Sequence, residues 1–193
     1  MKIVLGSQSP RRKELLEHFL VPFIQVPSDF DEESVPYAGN PGKHAMLLSK
    51  KKNEALAEKF QGDVILTADS VVFCNGNLYN KPRDEEEAFS FLTDFSNQWQ
   101  SVFTGVTASR GPLSYTDVEE TRLLFNPLSE EQIRLYHRHG YFLDKAGGYT
   151  IEKTGNLVVS RIEGCYDNIV GLPLNTTRKL LLKVGVDLWD FLK

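Results

Sequence analysis

The sequence predicts an α/β fold, and three observations carry that prediction. Ile3-Val4-Leu5 is a short apolar run that passes through a glycine turn into a helix start at Ser9-Pro10. Strand-like runs and amphipathic helical stretches then alternate as far as residue 95. Residues 99–110 and 113–125 read as two long strands joined at Gly111-Pro112, a central hairpin. With 193 residues, 41% of them hydrophobic and 25% charged, the chain can bury a sizeable core. One domain over residues 1–193, or two intimate lobes, is expected. The net charge of −4 argues against the basic face that a general nucleic-acid binder needs. No apolar run approaches the ~20 residues that span a bilayer. The N-terminus reads as a core strand rather than a signal peptide. Cys74 and Cys165 lack Cys-x-x-Cys or zinc spacing and read as reduced thiols. A cytoplasmic protein that meets neither nucleic acid nor membrane is expected.

The first helix, over residues 10–20, has Ser9 as N-cap and Pro10 at its first position. Leu15, Leu16, Phe19 and Leu20 give it an apolar face. Arg11 and Arg12 in its first turn are the wrong charge there, because the helix dipole already presents positive charge. Ser7, Ser9, free backbone N–H groups and two guanidinium forks therefore collect at one point, for which a phosphate is the natural partner. The alternative is a surface helix that happens to begin with Arg-Arg.

A second strand over residues 23–26 leads into the acidic loop 28–33. Most of its carboxylates read as solvated, with one or two suited to a hard metal. Asn40-Pro41 opens a helix continuing to residue 60, with Ala45, Leu48, Ala55 and Leu56 as its apolar stripe. Lys52 falls inside that stripe, where it either snorkels to water or supplies a cation to a buried site. Residues 64–68 form an apolar strand, followed by Asp69-Ser70 and the apolar 71–73. A carboxylate amid such sequence must be paired, protonated or metal-bound, unless Asp69-Ser70 is a turn between two strands.

Asn75-Gly76 signals a hairpin, and the extended Asn80-Lys81-Pro82 brings a second candidate phosphate lysine, Lys81. Asp84 caps a helix reaching residue 95, whose acidic first turn suits its dipole. Ser129 starts another helix that stops at Gly140. His137 and His139 lie two apart on it and share no face, which disfavours a histidine metal site. In residues 144–152, Gly147-Gly148 permits close backbone approach to a ligand. With Lys145 beside that pair and Glu152 after a strand at 149–151, a nucleotide-facing edge is expected. A last helix covers residues 175–184.

These residues describe a polyphosphate site with acidic positions for a hard cation. Neither the P-loop pattern nor the Rossmann glycine pattern is present. No Cys-His or Ser-His-Asp spacing favours a covalent route. What remains is metal-assisted attack of water on phosphorus, with a carboxylate as general base.

Residues 7–16 (Ser-Gln-Ser-Pro-Arg-Arg-Lys-Glu-Leu-Leu), 68–72 (Ala-Asp-Ser-Val-Val), Lys81-Pro82, 144–149 (Asp-Lys-Ala-Gly-Gly-Tyr) and 170–174 (Val-Gly-Leu-Pro-Leu) occur in this order. Together they resemble the Maf family of nucleoside triphosphate pyrophosphatases, once discussed as inhibitors of septum formation. The resemblance runs from Ile3 to about residue 182. It implies a fold like inosine triphosphatase, with a long bent mixed sheet, flanking helices and an active-site cleft between two lobes. It further implies hydrolysis between the α and β phosphates of a nucleoside triphosphate, with Mg²⁺ or Mn²⁺, and a possible homodimer. On this resemblance Asp69 is the proton acceptor, and Arg11, Ser70 and Glu152 stand where substrate is chosen. Ser9, Arg12, Lys52 and Lys81 match the polar lining around the phosphates. Glu32 aligns with an acidic residue near the metal, with Asp69 as the companion ligand.

Two departures bear on substrate. The branch acting on dTTP and UTP usually has Thr at the position of Ser70 and Gln at that of Glu152. The branch acting on 7-methyl-GTP usually has a bulky aromatic at the position of Arg11. The expected activity is thus conversion of a dTTP/UTP-like or modified triphosphate to monophosphate and pyrophosphate. A nucleotide-binding regulator of cell division with little turnover is the alternative.

Overall fold

The structure is a computed structural model that describes residues 2–140 and 142–192. Its elements follow as β1 (Ile3–Gly6), α1 (Pro10–Glu17), β2 (Phe23–Val26), α2 (Pro41–Ala57), β3 (Val64–Cys74) and β4 (Asn77–Tyr79). Then come α3 (Glu85–Phe95), β5 (Trp99–Arg110), β6 (Leu113–Phe125), α4 (Glu130–Arg138), β7 (Val159–Glu163), α5 (Tyr166–Val170) and α6 (Leu174–Lys183). The α/β class is as expected, and the strands form one mixed seven-stranded sheet in the order β2-β1-β3-β5-β6-β7, with β4 beside β3. Strand β1 runs parallel to β2 and β3, whereas β3, β5, β6 and β7 are antiparallel neighbours.

Strand β3 organises the sheet. Alternation sends Val64, Leu66, Ala68 and Val72 into the main core, while Ile65 and Val71 face α2. Along one edge, β1 pairs with β3 only as far as Gly6↔Thr67, and β4 takes over only at Tyr79↔Val72. Residues 68–71 thus have no strand on that side, although β5 pairs them on the other. A gap in the sheet edge opens at the carboxyl end of β1, where ligand sites gather in α/β sheets.

Helix α2 crosses the opposite face of β3 and β5 at close range. Gly105, paired across the ladder with Asp69, makes this possible. A Cβ at Gly105 would lie 2.3 Å from the Ala45 backbone carbon and oxygen. Polar side chains then knit helix to sheet: Thr67 Oγ1 donates to the Ser49 carbonyl, and Asn53 Nδ2 donates to the Ile65 carbonyl.

Several expectations change in detail. Helix α1 ends at Glu17, so Leu15 and Leu16 are buried but Leu20 is 72% exposed. Helix α2 stops at Ala57, and its buried stripe carries Ser49 and Asn53, with Ala55 only half-buried. Asp69-Ser70 is no turn, because both residues sit inside an uninterrupted eleven-residue strand whose ladder with β5 continues through them. Residues 149–151 belong to no strand; instead Tyr149 is anchored as a core side chain by Phe95 and Phe125. Strand β7 and the short α5 were not anticipated, since β7 alternates poorly and four of its five residues escape full burial. The hairpins at Asn75-Gly76 and Gly111 form as read, with left-handed φ at Asn75, Gly76 and Gly111. Both cysteines are free. No helix among the described residues is long and apolar enough to cross a membrane.

Candidate active site

The gap in the sheet edge leads into a cavity of about 1170 Å³. Ser7, Ser9, Arg11, Arg12, Glu32, Lys52, Asp69, Ser70, Lys81, Lys145 and Glu152 all line it. Eleven side chains drawn from seven stretches of sequence therefore meet in one cleft.

At its floor, Asp69 projects from β3 toward α2, 4% exposed. Lys52 stands two helical turns beyond Ala45, the residue that rests on Gly105, and this spacing carries its ammonium back to Asp69. Lys52 Nζ lies 2.5 Å from Asp69 Oδ1 and 2.7 Å from Glu32 Oε1. Glu32 arrives from a short 3₁₀ turn, Glu32–Ser34, capped by the Asp31 side chain. One cation therefore draws two carboxylates from distant segments to the same point. Their titrations separate. Burial pushes the Asp69 carboxyl up, aided by the Glu32 charge and opposed by Lys52 and Arg12. For Glu32, burial is outweighed by Lys52, Lys81 and Arg12, which hold it below the usual carboxylate range. Environments that drive paired carboxyls apart assign them different work, one nearer to accepting a proton and one kept anionic.

Arg12 lies on the other side of β3. Its Nε donates to the Gly171 carbonyl at 2.7 Å, and its Nη1 to the Ala68 carbonyl at 2.7 Å and Ser7 Oγ at 3.4 Å. Its Nη2 donates to Ser70 Oγ at 3.0 Å. The guanidinium thus fills the open edge of β3 and ties β1, β3 and the α5–α6 turn together. Among the described residues these bonds use four of its five N–H groups, leaving one on Nη2 to face a ligand. Beyond Ser70, its hydroxyl lies 2.8 Å from Thr104 Oγ1, which donates to the Asn168 carbonyl at 3.2 Å. Since Thr104 spends its proton on Asn168, Ser70 is the donor to Thr104 and the acceptor from Arg12. Asn168 is fully buried and donates to the Val102 carbonyl and Thr121 Oγ1.

Near the mouth, Ser9 Oγ caps α1 by accepting from the Arg12 backbone N–H, and the Ser9 N–H donates to Ser7 Oγ. Arg11 Nη1 donates to Asp144 Oδ2 at 3.2 Å, and Lys145 Nζ to Asp144 Oδ1 at 2.6 Å. The following Gly147 and Gly148 both take left-handed φ and pack against Val72, Phe95 and Ala88, so a side chain there is strained as well as crowded. His137 secures this turn through its Nε2 and the Gly148 carbonyl, 3.2 Å apart. Lys81 is exposed and makes no hydrogen bond or ion pair among the described residues. The Glu152 side chain lines the cleft, and its backbone N–H donates to Thr150 Oγ1.

Sequence reasoning missed Asp144, Thr104, Asn168 and the aromatic wall of Phe30, Tyr37 and His44. Asp144 was in view beside Lys145, but its partner Arg11 lies 133 residues away. Thr104 and Asn168 carry no local signal. For Tyr37 and His44, whose rings meet edge to face at 5.5 Å, a seven-residue separation across a helix start hid the pairing.

The chain matches the family model described as Maf-like protein over residues 2–184. It is 38% identical over 192 residues to the dTTP/UTP pyrophosphatase of Chlamydia felis, covering 99% of this chain and 98% of that protein. It is 39% identical over 184 residues to the dTTP/UTP pyrophosphatase of Clostridium perfringens, covering 94% and 96%. Among solved structures, the Staphylococcus aureus Ham1 protein matches with a TM-score of 0.49 and 15% identity, covering 80% of this chain and 90% of that one. A family match over residues 2–184 and relatives this similar show that the chain belongs to the Maf-like protein family.

Proposed function

We propose that this protein hydrolyses nucleoside triphosphates to the monophosphate and pyrophosphate, with Asp69 as the general base. The observation that carries the reading is the Asp69–Lys52–Glu32 cluster at the cleft floor. Asp69 Oδ1 is held by Lys52, so its second oxygen is the one to take a proton from an attacking water. Burial raises the carboxyl toward the range where it works as a base. The new bond runs from the water oxygen to phosphorus, and the bond that breaks is the α–β bridge. Pyrophosphate leaves as a stable anion, for which Lys81, Lys145 and the one free N–H of Arg12 supply positive charge.

A divalent cation, Mg²⁺ or Mn²⁺, suits the donor set. Two hard carboxylates, Asp69 and Glu32, already converge on one cationic position. No group of three or more His, Cys, Asp or Glu gathers among the described residues, so phosphate oxygens and water would complete the shell, as Mg²⁺ prefers. When bound, such an ion supplies charge neutralisation at the phosphates and a more acidic water.

Arg11, Ser70 and Glu152 are proposed to bear on the base, favouring dTTP/UTP-like or modified pyrimidine nucleotides. Ser70 would act there through Arg12, because both its hydrogen-bonding roles are engaged with Arg12 and Thr104. Glu152, with acceptors only, favours a base edge that offers N–H groups. The test is pyrophosphate release from a panel of plain and modified triphosphates with Mg²⁺ or Mn²⁺. Asp69→Asn is expected to lower kcat by about 10²–10⁴-fold, the usual worth of a positioned base. Undiminished turnover would remove Asp69 from that role. Nucleotide binding by wild type without any pyrophosphate release would favour a regulator instead.

A further inference from the structure

Two walls of the cleft are joined by one carboxylate. Arg11 stands in the first turn of α1, and Lys145 lies in the segment that leads to the Gly147-Gly148 turn. Asp144 gives one oxygen to each: Oδ2 accepts from Arg11 Nη1 at 3.2 Å and Oδ1 from Lys145 Nζ at 2.6 Å. The Arg11–Asp144 bond closes over 133 residues of sequence and spans the mouth. All three side chains line the cavity, with Arg11 20% and Lys145 15% exposed.

One carboxylate faces two cations, and the α1 N-terminus adds a partial positive charge. The shared carboxylate holds the two mutually repelling cations side by side at the mouth of the cleft. Burial would push the Asp144 carboxyl up, but Lys145 and then Arg11 carry it below its usual range, so it is anionic throughout neutral pH.

We infer that Asp144 is a positioning residue for nucleotide binding, which fixes Arg11 and Lys145 so that both present N–H donors to the triphosphate or its base. The inference uses the pyrophosphatase reading only to choose the ligand. It makes a prediction whose sign is opposite to simple electrostatics. A carboxylate beside an anionic ligand is repulsive, so removing its charge should tighten binding if Asp144 did nothing else. If it positions the cations, removing it weakens binding, because each loses the carboxylate they share and the ligand must supply that ordering.

Binding is measured by calorimetry with α,β-methylene UTP, which carries the triphosphate but resists cleavage, so turnover does not enter. Asp144→Asn is expected to raise Kd about tenfold, as for one lost charge-assisted contact. Asp144→Glu, which keeps the charge and both acceptors, is expected to recover most of the loss. With hydrolysable substrate, the defect of Asp144→Asn falls mainly on KM rather than kcat. In an Arg11→Gln background the further effect of Asp144→Asn shrinks, because half of what it positions is already gone. Unchanged or tighter binding by Asp144→Asn overturns the inference, as does strict additivity with Arg11→Gln. If Asp144→Asn does not fold, Asp144→Glu and Arg11→Gln decide: binding by Arg11→Gln equal to wild type overturns it. Tight analogue binding by wild type with no pyrophosphate release would instead sink the functional reading and leave this one standing.

Discussion

Replacing Lys52 with methionine isolates the charge at the cleft floor, because methionine keeps most of the apolar stem. Lys52 and Asp69 side chains are 8% and 6% exposed, so the pair is buried, whereas Glu32 is 49% exposed and can turn to water. Removing one member of a buried ion pair costs about 3–5 kcal/mol, and the low end applies because Asp69 can escape by taking a proton. Glu32 adds little, since a half-exposed pair is screened. About 3 kcal/mol corresponds to a fall in Tm of roughly 6–12 °C for a chain of this size. The deficit also depends on pH in a defined direction. Without Lys52 nothing but Arg12 opposes the burial that raises Asp69. The folded variant then holds that proton to higher pH than the unfolded chain does. Its stability therefore falls as pH rises above the unfolded carboxyl range, and the deficit is smallest near pH 5. Thermal unfolding of Lys52→Met and wild type at pH 5, 6.5 and 8 measures this. A variant within about 2 °C of wild type at pH 8 would refute the reasoning, since no buried charge would have been exposed.

Two further outcomes follow from the packing. Gly105→Ala places a methyl 2.3 Å from α2 backbone atoms that cannot move aside singly, so α2 must lift from the sheet. A loss of about 3 kcal/mol is expected, at the upper end for overpacking, together with loss of pyrophosphate release as Lys52 leaves Asp69; wild-type stability and turnover would show that the close approach is no constraint. His137 is half-buried, stacks on Phe142 at 3.8 Å between centroids, and has its pKa lowered by burial. Because the folded state binds that proton less readily than the unfolded chain, its contribution is complete above about pH 6.5 and is lost as pH falls through the folded value. Urea midpoints of wild type should decline on acidification, and His137→Gln, which can still donate to the Gly148 carbonyl, should flatten the decline; an identical slope would reject the assignment.

Much of this architecture was legible because local signals and global fold agree. Ser9, Asn40, Asp84 and Ser129 each cap the helix that the sequence marks, and each side chain accepts the expected backbone N–H. What escaped was decided by tertiary packing. Composition left a turn at Asp69-Ser70 open as the alternative to a buried carboxylate, and the β5 ladder on one edge, with Arg12 on the Ala68 carbonyl at the other, decides for a continuous strand. Tyr149 has strand propensity, but burial of its ring against Phe95 and Phe125 outweighs ladder formation. Lys52 was visible as a charge inside an apolar stripe, although its two partners lie 17 and 20 residues away and required the fold to name them. The polar chain through Thr104 and Asn168 had no such mark, because buried hydroxyls and amides look like any others in sequence.

The two arginines at the start of α1 show how a broken local rule is resolved at two levels. A pair of cations at a helix N-terminus conflicts with the dipole, and a phosphate alone would leave the conflict standing whenever the cleft is empty. The protein removes it internally. Arg12 reaches the Gly171 carbonyl of the α5–α6 turn and the Ala68 carbonyl at the bare edge of β3, where an unpaired strand would otherwise need water or another strand. Arg11 is balanced by Asp144. The first solution uses two backbone carbonyls and the hydroxyls of Ser7 and Ser70 and so makes Arg12 chiefly a strut. The second shares one carboxylate between two cations that both line the cleft. Stability of the empty site and affinity for an anion thus come from neighbouring residues of one dipeptide. Arg12 is expected to matter to folding more than Arg11, and Arg11 to ligand choice more than Arg12.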